Sequence, residues 1–472
     1  MPERQPSLLD RFLRLFTEVR PGEGATALLL ALNVFLLLTS YSMVKVLREP
    51  LILAGGGAAV KSYTSAGQAL LLLVLVPAYG VLAARVPRRT LIRAVTGFFL
   101  ACMVGFYALA RMGVAVGVPF YLWVGVFSLM VIAQFWSFAN DLYTTEEGKR
   151  LFPLIQFGAA LGAVAGSALT GLLIRPIGLY EPLLLAAGVL AAATGITMVV
   201  DARERRRTEE ARAPGPLTSG TLPAATLQYR AESGEFKAVT ASEAYSKASG
   251  QFKVVRPGVA EREAVRSTGG SFGLVLRSPY LLAIALLVVV LNCVNSTGEY
   301  LLGHTVQSWT PDQIGRFYAG YQTSVNLLSL ALQLFVVARL LKIFGVRFAL
   351  LVLPIIALTG YAALAFLPVL VIVRWAKTAE NATDYSLQNT LRAVLFLPTT
   401  REEKYSAKQA IDGFFVRIGD VVSAGLVYAG THWLAIQARQ FALVNLAFVM
   451  VWIVLAVFIG RRYERLAAAT AT

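Results

Sequence analysis

Thr144-Thr145-Glu146-Glu147-Gly148-Lys149 returns late in the chain as Thr399-Thr400-Arg401-Glu402-Glu403-Lys404. Both copies read Thr-Thr-x-Glu-x-Lys, and each follows the fourth long apolar stretch of its half. A short match is expected by chance somewhere in 472 residues. Its occurrence at matching points of two halves points to an internal duplication. The halves are separated at 201–272, where the hydropathy collapses. Residues 204–212 are charged, and 213–226 are rich in Pro, Gly, Ser and Thr. This stretch carries its own small repeat, Ser233-Gly234-Glu235-Phe236-Lys237-Ala238-Val239 returning as Ser249-Gly250-Gln251-Phe252-Lys253-Val254-Val255. The plain reading is a solvated, low-complexity cytoplasmic linker. The sharper one is a docking motif for a cytoplasmic partner or for anionic lipid. The expected organisation is an N-terminal half at 1–200, the linker at 201–272 and a C-terminal half at 273–472.

A membrane helix needs about 20 mostly apolar residues. About twelve such windows are present, starting near Gly24, Ser65, Thr90, Gly117, Leu154 and Gly178, then near Ser278, Ala319, Arg347, Val369, Ala410 and Phe441. Composition agrees: 57% of residues are apolar and 15% charged, with a mean hydropathy of +0.64. Soluble domains hold about 45–50% apolar and about 25% charged residues. The fold class is therefore all-α, a polytopic membrane protein with two six-helix pseudo-repeats. The net charge of +16 is read as basic cytoplasmic loops rather than nucleic-acid binding. Arg85, Arg88, Arg89, Arg93, Lys149, Arg150, Arg339, Lys342, Arg347, Arg461 and Arg462 all fall on one side, which places both termini in the cytoplasm and the chain in the inner membrane. The segment 1–24 is amphipathic, with Arg4, Arg11, Arg14 and Arg20, and is expected to lie along the membrane surface.

Ionisable residues inside such helices cost about 2.5–3.5 kcal/mol on insertion scales and should face protein or water. The tenth span places Arg374, Lys377, Asn381, Asp384, Gln388 and Arg392 three or four residues apart, one face of a helix. The fourth span carries Gln134, Ser137 and Asp141 with Asn140 adjacent. The seventh carries Asn292, Asn295 and Glu299, and the first ends with Tyr41, Lys45, Arg48 and Glu49. Isolated Asn, Ser and Gln are accounted for by helix–helix hydrogen bonds. Several cations on one buried face point instead to a polar path. Gly158, Gly162 and Gly166 on the fifth span read as close helix packing.

Catalytic signatures are missing from the sequence. There is no HExxH, no GxSxG and no GxxxxGK[ST] phosphate loop. The cysteines Cys102 and Cys293 and the histidines His304 and His432 build no metal set. The expectation is a transporter, not an enzyme, with no cofactor. Two parallel repeats with the cargo between them resemble the plan of the major facilitator superfamily.

The residues Phe135-Trp136, Phe138-Ala139-Asn140, Thr144-Thr145, Glu147, Lys149-Arg150 and Pro153 resemble the ATP:ADP antiporter family of nucleotide transporters, in particular its free-living bacterial branch. Tyr385-Ser386-Leu387, Arg392, Pro398, Lys404, Lys408 and Ala410-Ile411-Asp412 extend the resemblance into the second half, and Tyr41 to Leu53 has the family's layout. Lys61 falls where the family has a lysine. Five positions depart: Val124 replaces an acid, Asn295 and Glu299 stand for a glutamate and a lysine, Asp384 replaces a cation, and Asp420 replaces a lysine. The resemblance implies an exchanger of ATP- and ADP-like nucleotides working by alternating access. The expected binding set is Lys45, Arg48, Lys61, Asn140, Asn295, Glu299, Arg374, Lys377, Asp384, Arg392, Arg417 and Asp420. Arginine and lysine suit phosphate as a bidentate fork and a point charge, and Tyr41, Trp136, Tyr385 and Phe396 are candidates for holding a base. Glu147, Lys149, Glu402 and Lys404 are the expected inner gate. The alternatives are a carrier of another organic anion, proton-coupled or not, and a membrane anchor or sensor acting through the linker.

Overall fold

A computed structural model of the chain describes residues 23–212, 227–230, 236–239, 270–400 and 402–471. The segment 1–22 and most of the linker, including the second copy of its repeat, lie outside the described residues. The chain divides into two units. The smaller comprises residues 205–268, and the larger all the rest. In the smaller, Leu227–Arg230 pairs antiparallel with Phe236–Val239, Leu227 opposite Val239. One copy of the linker repeat thus contributes the second strand of a ribbon.

The larger unit is helical. Eight continuous helices among the described residues are long and apolar enough to cross a membrane. Two of these runs cross twice. Gly24–Arg85 is broken at Gly57 (φ 72°), and the run from Pro311 to Phe366 is broken at Gly345 (φ 73°). Both turns use a left-handed backbone that only glycine adopts readily. The tenth and eleventh spans are divided into α- and π-helical pieces, so neither is a continuous helix of that length. The twelve spans are then 24–56, 58–85, Arg88–Arg111, Gly117–Leu142, Thr145–Ile177, Glu181–Arg212, Pro279–Val306, 311–344, 346–366, 370–394, 402–433 and Ala438–Ala471. A short helix, Gly270–Arg277, precedes the seventh.

Several helices begin earlier than their apolar windows. The second starts after Gly57 rather than near Ser65, because Lys61, Ser62 and Thr64 occupy its first turns. The fifth starts at Thr145 rather than Leu154, its charged first turn being fixed by a cap. The sixth continues to Arg212, through a charged stretch read from sequence as linker. A hydropathy window finds the lipid-crossing part of a helix, not its polar ends.

The two halves repeat their packing. Gly158, Gly162 and Gly166 bring the fifth span onto the backbone of the first, at Ala31, Phe35 and Thr39. Correspondingly, Gly419 brings the eleventh onto the seventh, at Val289 and Asn292. Asn33 of the first span donates to the Ala193 carbonyl of the sixth (3.0 Å), and Asn445 of the twelfth to the Val294 carbonyl of the seventh (3.3 Å). Outward faces are apolar, with Val74, Leu172, Phe366 and Val454 exposed, as lipid requires.

Contacts define two ends of the bundle. At one, the Gly57 end, the Ala58 N–H donates to Gln307 (2.9 Å) and Tyr63 meets Thr431 and His432 (3.4 Å each), joining the halves. At the other, the Thr144 end, Arg150 pairs with Glu23 (3.2 Å) and Arg347 with Glu464 (3.4 Å). Residues Trp136, Asn140, Tyr143 and Phe152 line a vestibule of about 790 Å³ there.

Candidate functional site

Between the halves lies a cavity of about 140 Å³. The first and second spans supply Lys45, Arg48, Glu49, Lys61, Ser62 and Ser65, and the fourth supplies Tyr121. From the other half come Asn295, Ser296 and Glu299 of the seventh span, with Tyr318, Tyr321 and Gln322 of the eighth. Asn381 and Tyr385 of the tenth and Asp420 and Ser423 of the eleventh complete it.

Four of its charged groups, Arg48, Glu49, Lys61 and Glu299, form one connected chain. Arg48 pairs with Glu49 (2.6 Å), its guanidinium stacked on the Tyr121 ring (4.2 Å). The other Glu49 oxygen takes Lys61 (2.7 Å), and Lys61 reaches across to Glu299 in the second half (3.4 Å). Tyr321 (3.0 Å) and Asn381 (2.9 Å) both donate to Glu299, and Asn381 also donates to the Tyr321 hydroxyl (2.7 Å). Lys45 donates to the Tyr385 hydroxyl (3.3 Å), a second link between the halves. Asp420 accepts from Ser296 (2.8 Å) and faces Arg417 at 3.6 Å.

Of the sequence-derived set, Lys45, Arg48, Lys61, Asn295, Glu299 and Asp420 line this cavity, whereas Asn140, Arg374, Lys377, Asp384, Arg392 and Arg417 do not. Asn140 is exposed in the vestibule. The stripe on the tenth span is not a single lining surface. The π turn Asp384–Gln388 advances the helix by an extra residue, and only Asn381 of the spaced positions reaches the cavity. Lys377 is buried behind it, donating to Asn295 Oδ1 (2.7 Å) and Glu380 (2.9 Å). Arg374 lies against the Phe317 ring at 5.6 Å.

At the Thr144 end one of the expected gate residues, Glu147, also serves as a helix cap. Glu147 caps the fifth span by accepting from the Thr144 N–H (2.8 Å) and hydroxyl (2.9 Å). In the second half it is Glu403, not Glu402, that makes the same bonds to Thr400 (2.9 Å each). The capping geometry therefore aligns Thr144 with Thr400, one residue off the sequence match. The Lys149 side chain lies outside the described residues.

Sequence reasoning missed Tyr121, Tyr318, Tyr321 and Ser296. Tyrosines are ordinary in apolar helices, and only their juxtaposition with Arg48, Lys61 and Glu299 marks these. Among the described residues no cluster of His, Cys, Asp and Glu forms a metal site.

Comparison with known proteins places this arrangement. ADP,ATP carrier protein 1 of Chlamydia muridarum is 27% identical over 237 residues, covering 43% of each chain. The chain thus spans less than half the length of that curated relative. ADP,ATP carrier protein 2 of Chlamydia pneumoniae is 23% identical over 400 residues, covering 75% of this chain and 67% of the relative. A peptide transporter POT crystallised with sulfate shares the fold, with a TM-score of 0.60 at 13% identity over 98% of this chain and 99% of its own. Residues 25–380 match the family model of the Major Facilitator Superfamily, and with twelve spans in two halves around a central polar cavity the chain belongs to that superfamily.

Proposed function

We propose that this membrane transporter carries an anionic, nucleotide-like solute by alternating access, in exchange for a second such molecule. The observation that carries the reading is the seating of Lys45, Arg48 and Lys61 of one half opposite Asn295 and Glu299 of the other, around one cavity. Cations on the wall of a midplane cavity between repeats recognise an anion and sense the movement of the halves. Similarity to ADP,ATP carrier proteins supports nucleotide as the class of cargo. In the opposite conformer, Glu147, Lys149, Glu402 and Lys404 close the Thr144 end. That end faces the cytoplasm of a cell whose inner membrane holds the protein, by the bias of its basic residues.

Purified protein in liposomes tests this. Labelled ADP should enter vesicles loaded with ATP and not empty ones, and Arg48→Gln or Lys61→Gln should cut the rate by about tenfold or more. Absence of AMP, ADP and ATP flux above protein-free liposomes refutes the nucleotide reading. A single cysteine at Glu464, exposed at the Thr144 end, should be labelled from the cytoplasmic side alone. Deleting residues 213–268 should leave flux intact, whereas a sensor acting through the linker would lose its function.

A further inference from the structure

The cavity wall carries three cations, Lys45, Arg48 and Lys61, and three carboxylates, Glu49, Glu299 and Asp420. Their pairing is uneven. Glu49 takes both Arg48 and Lys61, and Lys61 is drawn further to Glu299. Asp420 has Arg417 behind it. Lys45 pairs with no carboxylate among the described residues; its ammonium meets only the hydroxyl and ring of Tyr385 (3.3 and 5.3 Å). Each wall carboxylate cancels the field of one cation at short range and low dielectric. With Arg417 answering Asp420 and Arg48 and Lys61 answering Glu49 and Glu299, a triphosphate chain, with its several negative charges, would meet one cation, Lys45, that no acid offsets.

We propose that the cavity selects a solute bearing a single anionic group, seated on Lys45 beside Tyr385, and disfavours polyphosphate chains. The neutral groups of Ser65, Asn295 and Gln322 then address hydroxyls or amides on the rest of the solute. This rests on the anion-carrier reading above and narrows the charge of its cargo.

Two ladders of probes test the charge apart from the nucleotide. Full-length protein in detergent at fixed pH and ionic strength is titrated with inorganic phosphate, pyrophosphate and tripolyphosphate, and separately with AMP, ADP and ATP, thermal stabilisation giving each Kd. Phosphate should bind at least as tightly as tripolyphosphate, and AMP about tenfold tighter than ATP, a difference of about 1.4 kcal/mol. Lys45→Gln should abolish the response to phosphate. Glu299→Gln, or Asp420→Asn if the first does not fold, should tighten tripolyphosphate by about tenfold relative to phosphate. Affinity rising with charge in the unaltered protein overturns the inference, as does phosphate binding that survives Lys45→Gln or no response to any inorganic anion. If the inorganic ladder runs as expected and no nucleotide binds, the nucleotide reading fails while the single-anion inference stands. If nucleotides bind with ATP tightest, the reverse holds.

Discussion

Lys377 is 1% exposed in the middle of a membrane span, and its ammonium is fully occupied by Asn295 and Glu380. Glu380 in turn accepts from the Tyr361 hydroxyl (3.1 Å). Removing one member of such a buried pair strands the other charge, at a cost of about 3–5 kcal/mol, whereas replacing both by apolar groups is often neutral. Lys377→Met should therefore lower the Tm and the yield of folded protein, and Lys377→Met with Glu380→Met should recover most of both. Equal loss in the single and double variants would show that Lys377 acts on something other than Glu380. That role was out of reach of the sequence. Spacing put Lys377 on a stripe with Arg374 and Asp384, but nothing in the chain announces that Asn295, on a different helix, takes its proton donors. Lys45 and Arg48 were legible because a cation bordering an apolar run is costly to bury unless an anion or water meets it, and Lys61 only through the family resemblance.

Helices of the two halves were easier to read than their faces. Twelve apolar runs follow from the bilayer's demand that backbone bonds be made internally, and the basic loops between them from the positive-inside bias, so element number was visible in hydropathy along the chain. The π turns in the eighth, tenth and eleventh spans were not, since each shifts the face presented by every residue beyond it. Glycine spacing on the fifth span was legible as packing, and its consequence is testable. A Cβ at Gly162 would strike the Phe35 carbonyl, a backbone atom, while one at Gly195 on the sixth span meets nothing within 4 Å. Overpacking a close contact costs about 1–3 kcal/mol. Gly162→Leu should thus lower the thermal unfolding temperature clearly, and Gly195→Leu should leave it nearly unchanged. Equal shifts in the two variants would mean that the fifth and first spans separate at little cost.

Alternating access requires the halves to part at one end while they close at the other, and the structure shows what holds the Gly57 end. There the Ala58 N–H bonds to Gln307, Tyr63 stacks edge-on to Tyr428 at 5.9 Å, and Gly303 sits against Leu53 and Ala58. Nearer the middle, Lys61–Glu299 and Lys45–Tyr385 cross the same divide. These last two contacts lie in the cavity, so an anion arriving at Lys45 or Lys61 competes directly with the bonds that hold the halves together. Cargo binding then weakens the contacts that close the Gly57 end and favours its opening, and a ligand shifts such an equilibrium only through its different affinity for the two states. Fixing the Gly57 end must abolish transport without abolishing binding. In protein whose cysteines Cys102 and Cys293 are changed to serine, Ala58→Cys with Gln307→Cys should be joined by a short, reducible bifunctional reagent. Labelled ADP flux should fall to background on joining and return on reduction, while phosphate still stabilises the joined protein. Flux that persists in the joined protein would mean that the halves do not part at this end during transport. Lost binding together with lost flux would mean that cargo enters from the Gly57 side in this conformer.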